Sequence, residues 1–147
     1  MDLNEDVYVE STSPFDDLPD ELVLKIFHIF IGNHRLPANK QTYDVDELIL
    51  PHDILLNTIA KVSNRFKRIS SDKSLWSGRV VISGDDEHHV KKVIYEFLDK
   101  NALALDIYRE DESIIDLSSR DFSVLAWKCP NMEYVKQIWP HHNVIRR

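Results

Sequence analysis

Glycine is scarce, with three residues in 147. That argues against a fold rich in tight turns and against a glycine loop that cradles phosphate. Cysteine is scarcer still: Cys129 stands alone, so no internal disulfide can form, and a reducing compartment is compatible with the chain. Positive charge is in short supply, with 18 Lys and Arg against 25 Asp and Glu for a net charge of −7. Non-specific binding to nucleic acid or to an anionic membrane is disfavoured, because both need cations. No long hydrophobic run occurs; the longest, around residues 22–31, falls short of the roughly 20 residues that a membrane span needs. The acidic start Met1-Asp2-Leu3-Asn4-Glu5-Asp6 lacks the basic and apolar regions of a secretory signal. The expectation is a soluble chain of the cytoplasm or nucleus, with no membrane contact. What is present is a 43% share of hydrophobic residues, enough for a core, in a length that suits one domain or two small ones.

Residues 1–14 are polar and acidic and read as a flexible tail. A helix is expected to open at Leu18-Pro19-Asp20-Glu21. Proline suits a first turn, Asp16 or Asp17 can cap it, and the carboxylates favour the positive end of the helix dipole. Gly32-Asn33 should stop it. Within it, Glu21, Lys25 and His28 form one narrow polar stripe, and Leu22, Val23, Leu24, Ile26, Phe27, Ile29, Phe30 and Ile31 make the rest apolar. A surface helix needs an apolar stripe only a little over 100° wide, and a small domain has limited interior in which to enclose more. Either a partner protein covers the excess or the C-terminal part of the chain does. Periodicity leaves both open. A second helix is expected after Pro51, with Ile54, Leu55, Ile59, Val62 and Phe66 on its buried side. It should fade at Ser70-Ser71-Asp72, which can cap a short turn holding Leu75 and Trp76. The connection 32–51 is long for a helix–helix loop.

The stretch Phe15-Asp16-Asp17-Leu18-Pro19-Asp20-Glu21-Leu22-Val23-Leu24-Lys25-Ile26-Phe27 resembles the opening of an F-box. The stretch Val62-Ser63-Asn64-Arg65-Phe66-Lys67-Arg68-Ile69-Ser70-Ser71-Asp72-Lys73-Ser74-Leu75-Trp76 resembles its closing half. The resemblance covers residues 15–76. It departs from the family in the long inserted connection 32–51, and in Phe66, Ser63 and Lys73 where tryptophan, cysteine and proline are common. It implies a group of helices that docks on a Skp-type adaptor and, through it, a cullin. Carried over by position, the docking residues are Leu18, Pro19, Leu22, Ile26, Phe27, Leu55, Val62, Phe66, Leu75 and Trp76, acting as hydrophobic anchors. An internal core role is an equal reading for Leu22, Ile26, Val62 and Phe66, whereas Leu18 and Pro19 lie at a helix start. Trp76 either anchors an interface or seals the joint to the C-terminal segment. The insertion is expected to loop outward and leave the docking face clear.

The remainder changes rhythm. Val80-Val81-Ile82 reads as a strand ended by Ser83-Gly84. Asp85-Asp86-Glu87 then sits at a helix start, and Val90, Val93, Ile94, Phe97 and Leu98 make an amphipathic helix. Leu103, Leu105 and Ile107 alternate as a second strand. A weaker helix over 116–127 places Phe122, Leu125 and Ala126 on one side, and residues 134–138 read as a third strand. The spacing fits leucine-rich repeats. The junction Leu125-Ala126-Trp127-Lys128-Cys129-Pro130-Asn131-Met132-Glu133-Tyr134-Val135 is similar to that in F-box proteins of the leucine-rich-repeat class, whose concave repeat face binds the target. The expected fold class is therefore α+β: an F-box group over 15–78, a leucine-rich-repeat-like segment over 79–139, and a tail over 140–147.

Catalytic patterns are wanting. Cys129 falls at a helix-to-strand junction and reads as packing. The adjacent pairs His88-His89 and His141-His142 diverge and lack the i, i+4 spacing of a zinc pair, so both read as solvated. No cofactor, metal site or enzymatic activity is expected. The leading expectation is an adaptor or substrate-receptor subunit of a Skp–cullin ubiquitin ligase that binds an unknown protein target through its C-terminal part. A scaffold role without ubiquitin transfer shares every one of these features. A nucleic-acid reader acting through Arg65, Lys67, Arg68, Arg146 and Arg147 is the remaining alternative, against the net acidity.

Overall fold

The computed structural model describes residues 14–34, 50–109 and 116–138. Most of the acidic tail, the insertion over 35–49, the C-terminal tail, and with them His141, His142, Arg146 and Arg147, lie outside the described residues.

A 3-10 turn, Pro14–Asp17, leads into helix α1, Asp20–Asn33. The helix starts at the expected proline, but no side chain caps it: Pro19 itself is the N-cap residue, and Asp16 and Asp17 sit in the preceding turn. Val23, Phe27 and Ile31, spaced four apart, enter the core, as one row of a 3.6-residue helix must.

The second helical segment is broken. Helix α2 spans Pro51–Asn57, a 3-10 turn spans Ile59–Lys61, and helix α3 spans Asn64–Ser70. The break has a local cause. Ser63 is an extended N-cap whose hydroxyl accepts from the Phe66 N–H, so a new helix begins there. One consequence is that Val62, expected on a buried side, stands 66% exposed. Asp72 caps the next short turn, Lys73–Trp76, through the Ser74 N–H, as anticipated.

Strand β1, Gly78–Ser83, pairs in parallel with β2, Ala102–Tyr108, which pairs in parallel with β3, Tyr134–Ile138. Sheet order follows chain order, and a helix carries each crossover, as parallel strands require. The first is α4, Glu87–Lys92, capped by Asp86 and widened into a π turn over Val93–Phe97. The wide turn places Val93, Ile94, Phe97 and Leu98 together inside, beside Val90. The second is α5, Ser119–Lys128. Its buried side is Asp121 and Leu125, while Phe122 is 51% exposed and Ala126 faces solvent. This corrects the expected face. A capping box between Ser118 and Asp121 turns the aspartate inward. Its carboxylate accepts from the Tyr95 hydroxyl at 2.8 Å and pairs with Lys91 at 3.6 Å.

The protein is thus a mixed α+β fold with a three-stranded parallel sheet. Val80, Ile82, Leu105 and Ile107 project from one sheet face into the same core as Val23, Phe27, Leu55 and Trp76. The opposite face carries Val81, Ala104, Asp106 and Tyr108, all buried. There Arg79 binds the fully buried Asp106, and Leu50 packs on Tyr108 and Ile138.

Candidate docking face

Helix α1 is held at three places. Its inner row packs in the core. Its start is clasped by Arg65 of α3. The Arg65 Nε donates to Asp20 Oδ1 at 2.8 Å, its Nη1 to the Phe15 carbonyl at 2.9 Å, and its Nη2 to the Leu18 carbonyl. Arg68, one turn later, donates to the other oxygen of Asp20 at 2.9 Å. These hydrogen bonds, Arg65 first and Arg68 next, hold the Asp20 carboxyl below its ordinary value of 3.8. Farther along, His28 Nε2 meets Ser74 Oγ at 2.8 Å, and that hydroxyl donates to Asp72 Oδ1 at 2.6 Å. The hydroxyl proton being used, His28 is the donor. The Ser74 hydroxyl also holds the Asp72 carboxyl below its ordinary value.

The outer side of α1 is open. Leu22, Ile26 and Ile29 are 46%, 38% and 53% exposed. At i, i+4 and i+7 they fall within about 60° of one another around the helix, a continuous apolar ridge. Pro19 is exposed and Leu18 half-buried where the ridge begins. Of the residues expected to dock, the structure therefore places Leu22 and Ile26 on one side of α1, with Pro19 exposed at its N-cap, while Leu18 precedes the helix and packs, half-buried, against the core. Phe66 is half-buried, meeting Phe15 and Phe27 edge-on at centroid distances of 5.6 and 5.5 Å. Val62 is exposed at the end of the 3-10 turn.

Four expected docking residues are placed elsewhere. Phe27, Leu55, Leu75 and Trp76 are 4%, 0%, 2% and 0% exposed and belong to the chain's own core. Phe27 falls on the inner row of α1, about 140° round from the ridge residue Leu22. Trp76 resolves as the seal of a joint. Its indole N–H donates to the Ser70 carbonyl at 2.9 Å, and its rings contact His52 and stack on Phe97, both at 4.7 Å. Sequence reasoning misses two residues. Ile29 completes the ridge, and the spacing 22, 26, 29 is its signal. Arg65, expected as a possible nucleic-acid contact, instead clasps the helix start. His89 is a further correction. It is not solvated; its Nε2 lies 2.9 Å from Asp53 Oδ1, and the other Asp53 oxygen accepts from the Ser83 N–H at 2.9 Å.

Cys129 is buried at the C-cap of α5, and burial pushes its thiol pKa up, the wrong direction for a nucleophile. Among the described residues no group of three or more His, Cys, Asp or Glu is placed to hold a metal ion, and no helix is long and apolar enough to cross a membrane. Set against protein-family models, curated proteins and solved structures, the chain matches none.

Proposed function

We propose that this chain is an F-box-type adaptor that docks on a Skp-type partner through the outer face of α1. In this reading it links a protein target to a cullin ubiquitin ligase without chemistry of its own. The observation that carries the reading is the exposed ridge Leu22, Ile26 and Ile29, with Leu18-Pro19 at its foot. Open apolar surface of this kind on a rigidly held helix suits helix-in-groove recognition. A second observation supports it. The two stretches that resemble the halves of an F-box are clasped to each other by Arg65, Arg68 and Asp20. The same clasp disfavours nucleic-acid reading, because it occupies two of the three cations on α3 proposed for it.

The target surface lies elsewhere than the resemblance implies. In the leucine-rich-repeat class the sheet face away from the helices binds the target, but here that face is buried at Val81, Ala104, Asp106 and Tyr108. Helix α5 instead offers Phe122, 51% exposed, and Trp127, 82% exposed, to solvent, and in this reading its exposed surface is the target site.

Calorimetry with a purified Skp-type adaptor tests the docking face. Leu22→Glu and Ile29→Glu sit on exposed positions and should leave the far-UV spectrum unchanged. Each should weaken binding by about 2–4 kcal/mol, the range of an interface hot spot. Phe122→Ala should leave adaptor affinity as it is. Wild-type affinity in both ridge variants, or no adaptor binding by the intact chain, defeats the reading. Co-purification of a cullin with the adaptor then separates ligase assembly from a scaffold role.

A further inference from the structure

A second surface, separate from the ridge, has the opposite chemistry. Between α2, the 3-10 turn Ile59–Lys61, α3 and α4 lies a cleft of about 530 Å³ lined by Lys61, Lys67 and Lys92 over Leu56 and Ala60. An adjoining cavity of about 300 Å³ shares those five residues and is lined in addition by Phe97, His89 and Glu96. Three lysines from three elements thus converge on one concavity in a chain whose net charge is −7.

Their convergence is not explained by internal pairing. None of the three ammonium groups takes part in an ion pair or hydrogen bond among the described residues. Neighbouring cations behave differently. Arg65 and Arg68 hold Asp20, Lys91 pairs with Glu87, and Lys73 donates to the Glu96 carbonyl. On α3 the division is geometric. Arg65 turns toward α1, and Lys67, two residues on, points about 200° away from it, into the cleft. Holding like charges around one cavity opposes folding unless an anion occupies it.

We propose that this cleft binds a phosphate monoester carried on a peptide side chain. A phosphorylated serine or threonine brings a charge of about −1.5 to −2 at neutral pH, and lysine meets phosphate as a point charge free to adjust its reach. The volume lies within the roughly 300–1,000 Å³ of ligand clefts. The apolar floor at Leu56, Ala60 and Phe97 suits the carbon atoms and flanking residue of a peptide. Glu96 disfavours an extended polyanion, which would have to run past it. The site is independent of the adaptor reading and survives its failure.

The test is a two-dimensional NMR titration of the full chain, with anisotropy for affinity. The probes are a short phosphoserine peptide, its unphosphorylated twin, inorganic phosphate and a single-stranded RNA oligomer. The phosphopeptide should shift the amides of residues 61, 67 and 92, the twin should not, and inorganic phosphate should shift the same amides at higher concentration. Lys67→Gln and Lys92→Gln should each weaken phosphopeptide binding at least about tenfold, while Lys25→Gln on α1 leaves it unchanged. All three positions are exposed, so folding is preserved. The proposal is overturned if those amides do not respond, or if Lys25→Gln weakens binding equally. Free phosphate binding as tightly as the peptide would leave only an ion site and overturn the peptide assignment. Tighter RNA binding that falls steeply with salt would reassign the cleft to nucleic acid.

Discussion

Asp20 shows how one side chain can organise a surface. As the first residue of α1 it accepts from Arg65 and Arg68 together, and so fixes the helix start against α3. Because its folded pKa is depressed, its contribution to stability is complete above the unfolded value near 3.8. It is lost as pH falls through the folded value. Denaturant titrations from neutrality downward should therefore show stability falling below about pH 4. Asp20→Asn should start lower at neutral pH and lose less on acidification. The slope that remains belongs in part to Asp72 and Asp121, both also depressed. An acid limb identical in the variant means that the clasp is not formed in solution. The carboxylate's place at a helix start was legible from sequence, since capping and dipole effects are local. Its arginine partners were not. They lie 45 and 48 residues away, and no periodicity links positions that distant.

The elements were legible where their signals are local. Pro19 and Gly32-Asn33 bracket α1, the β-branched run marks β1, and the spacing from Val90 to Leu98 marks α4. Sequence and structure differ where an apolar pattern competes with a polar signal. In α5 the apolar spacing points Phe122 inward, whereas the Ser-x-x-Asp box at Ser118 and Asp121 sets the rotation and sends Phe122 to solvent. Before α3, an apolar spacing that continues through Val62 hid the N-cap at Ser63. Gly78 holds a device of the same kind. It takes a φ of +70°, where the β1–β2 register shifts between Gly78 and Arg79. A residue with a Cβ is strained there by roughly 1–2 kcal/mol. Gly78→Ala should lower stability by about that amount in urea unfolding, with the slope against denaturant unchanged. No loss of stability would mean that the left-handed turn is not kept in solution. The mirror experiment is Gly32→Ala. An added methyl there meets open space near the end of α1, and its effect should be small.

At the scale of the whole molecule, the boundary expected at residues 78/79 divides two architectures but not two cores. Trp76 lies between them, stacked on Phe97 of the sheet segment and bonded to Ser70 of the helical group. Asp53 of α2 ties to Ser83 and His89 on the other side of the joint. The ridge of α1 is held, through Val23 and Phe27, by the core that also contains Phe97, Leu105 and Ile107. Such a joint transmits position: in the proposed adaptor reading, a partner on the ridge and a target on α5 would keep a fixed separation, as presentation to a third protein requires. It also transmits instability. Phe97→Ala removes the aromatic stacked on Trp76 and should cost about 3–5 kcal/mol. Protection from amide exchange at Val23 and Phe27 of α1 should then fall by as much as at Leu105 and Ile107 of β2, because one cooperative unit loses its free energy everywhere. Two independent cores would respond differently, with exchange accelerating in the sheet and holding steady in α1. That outcome would detach the ridge of α1 from the sheet segment and remove the rigid separation on which the proposed presentation of a target depends.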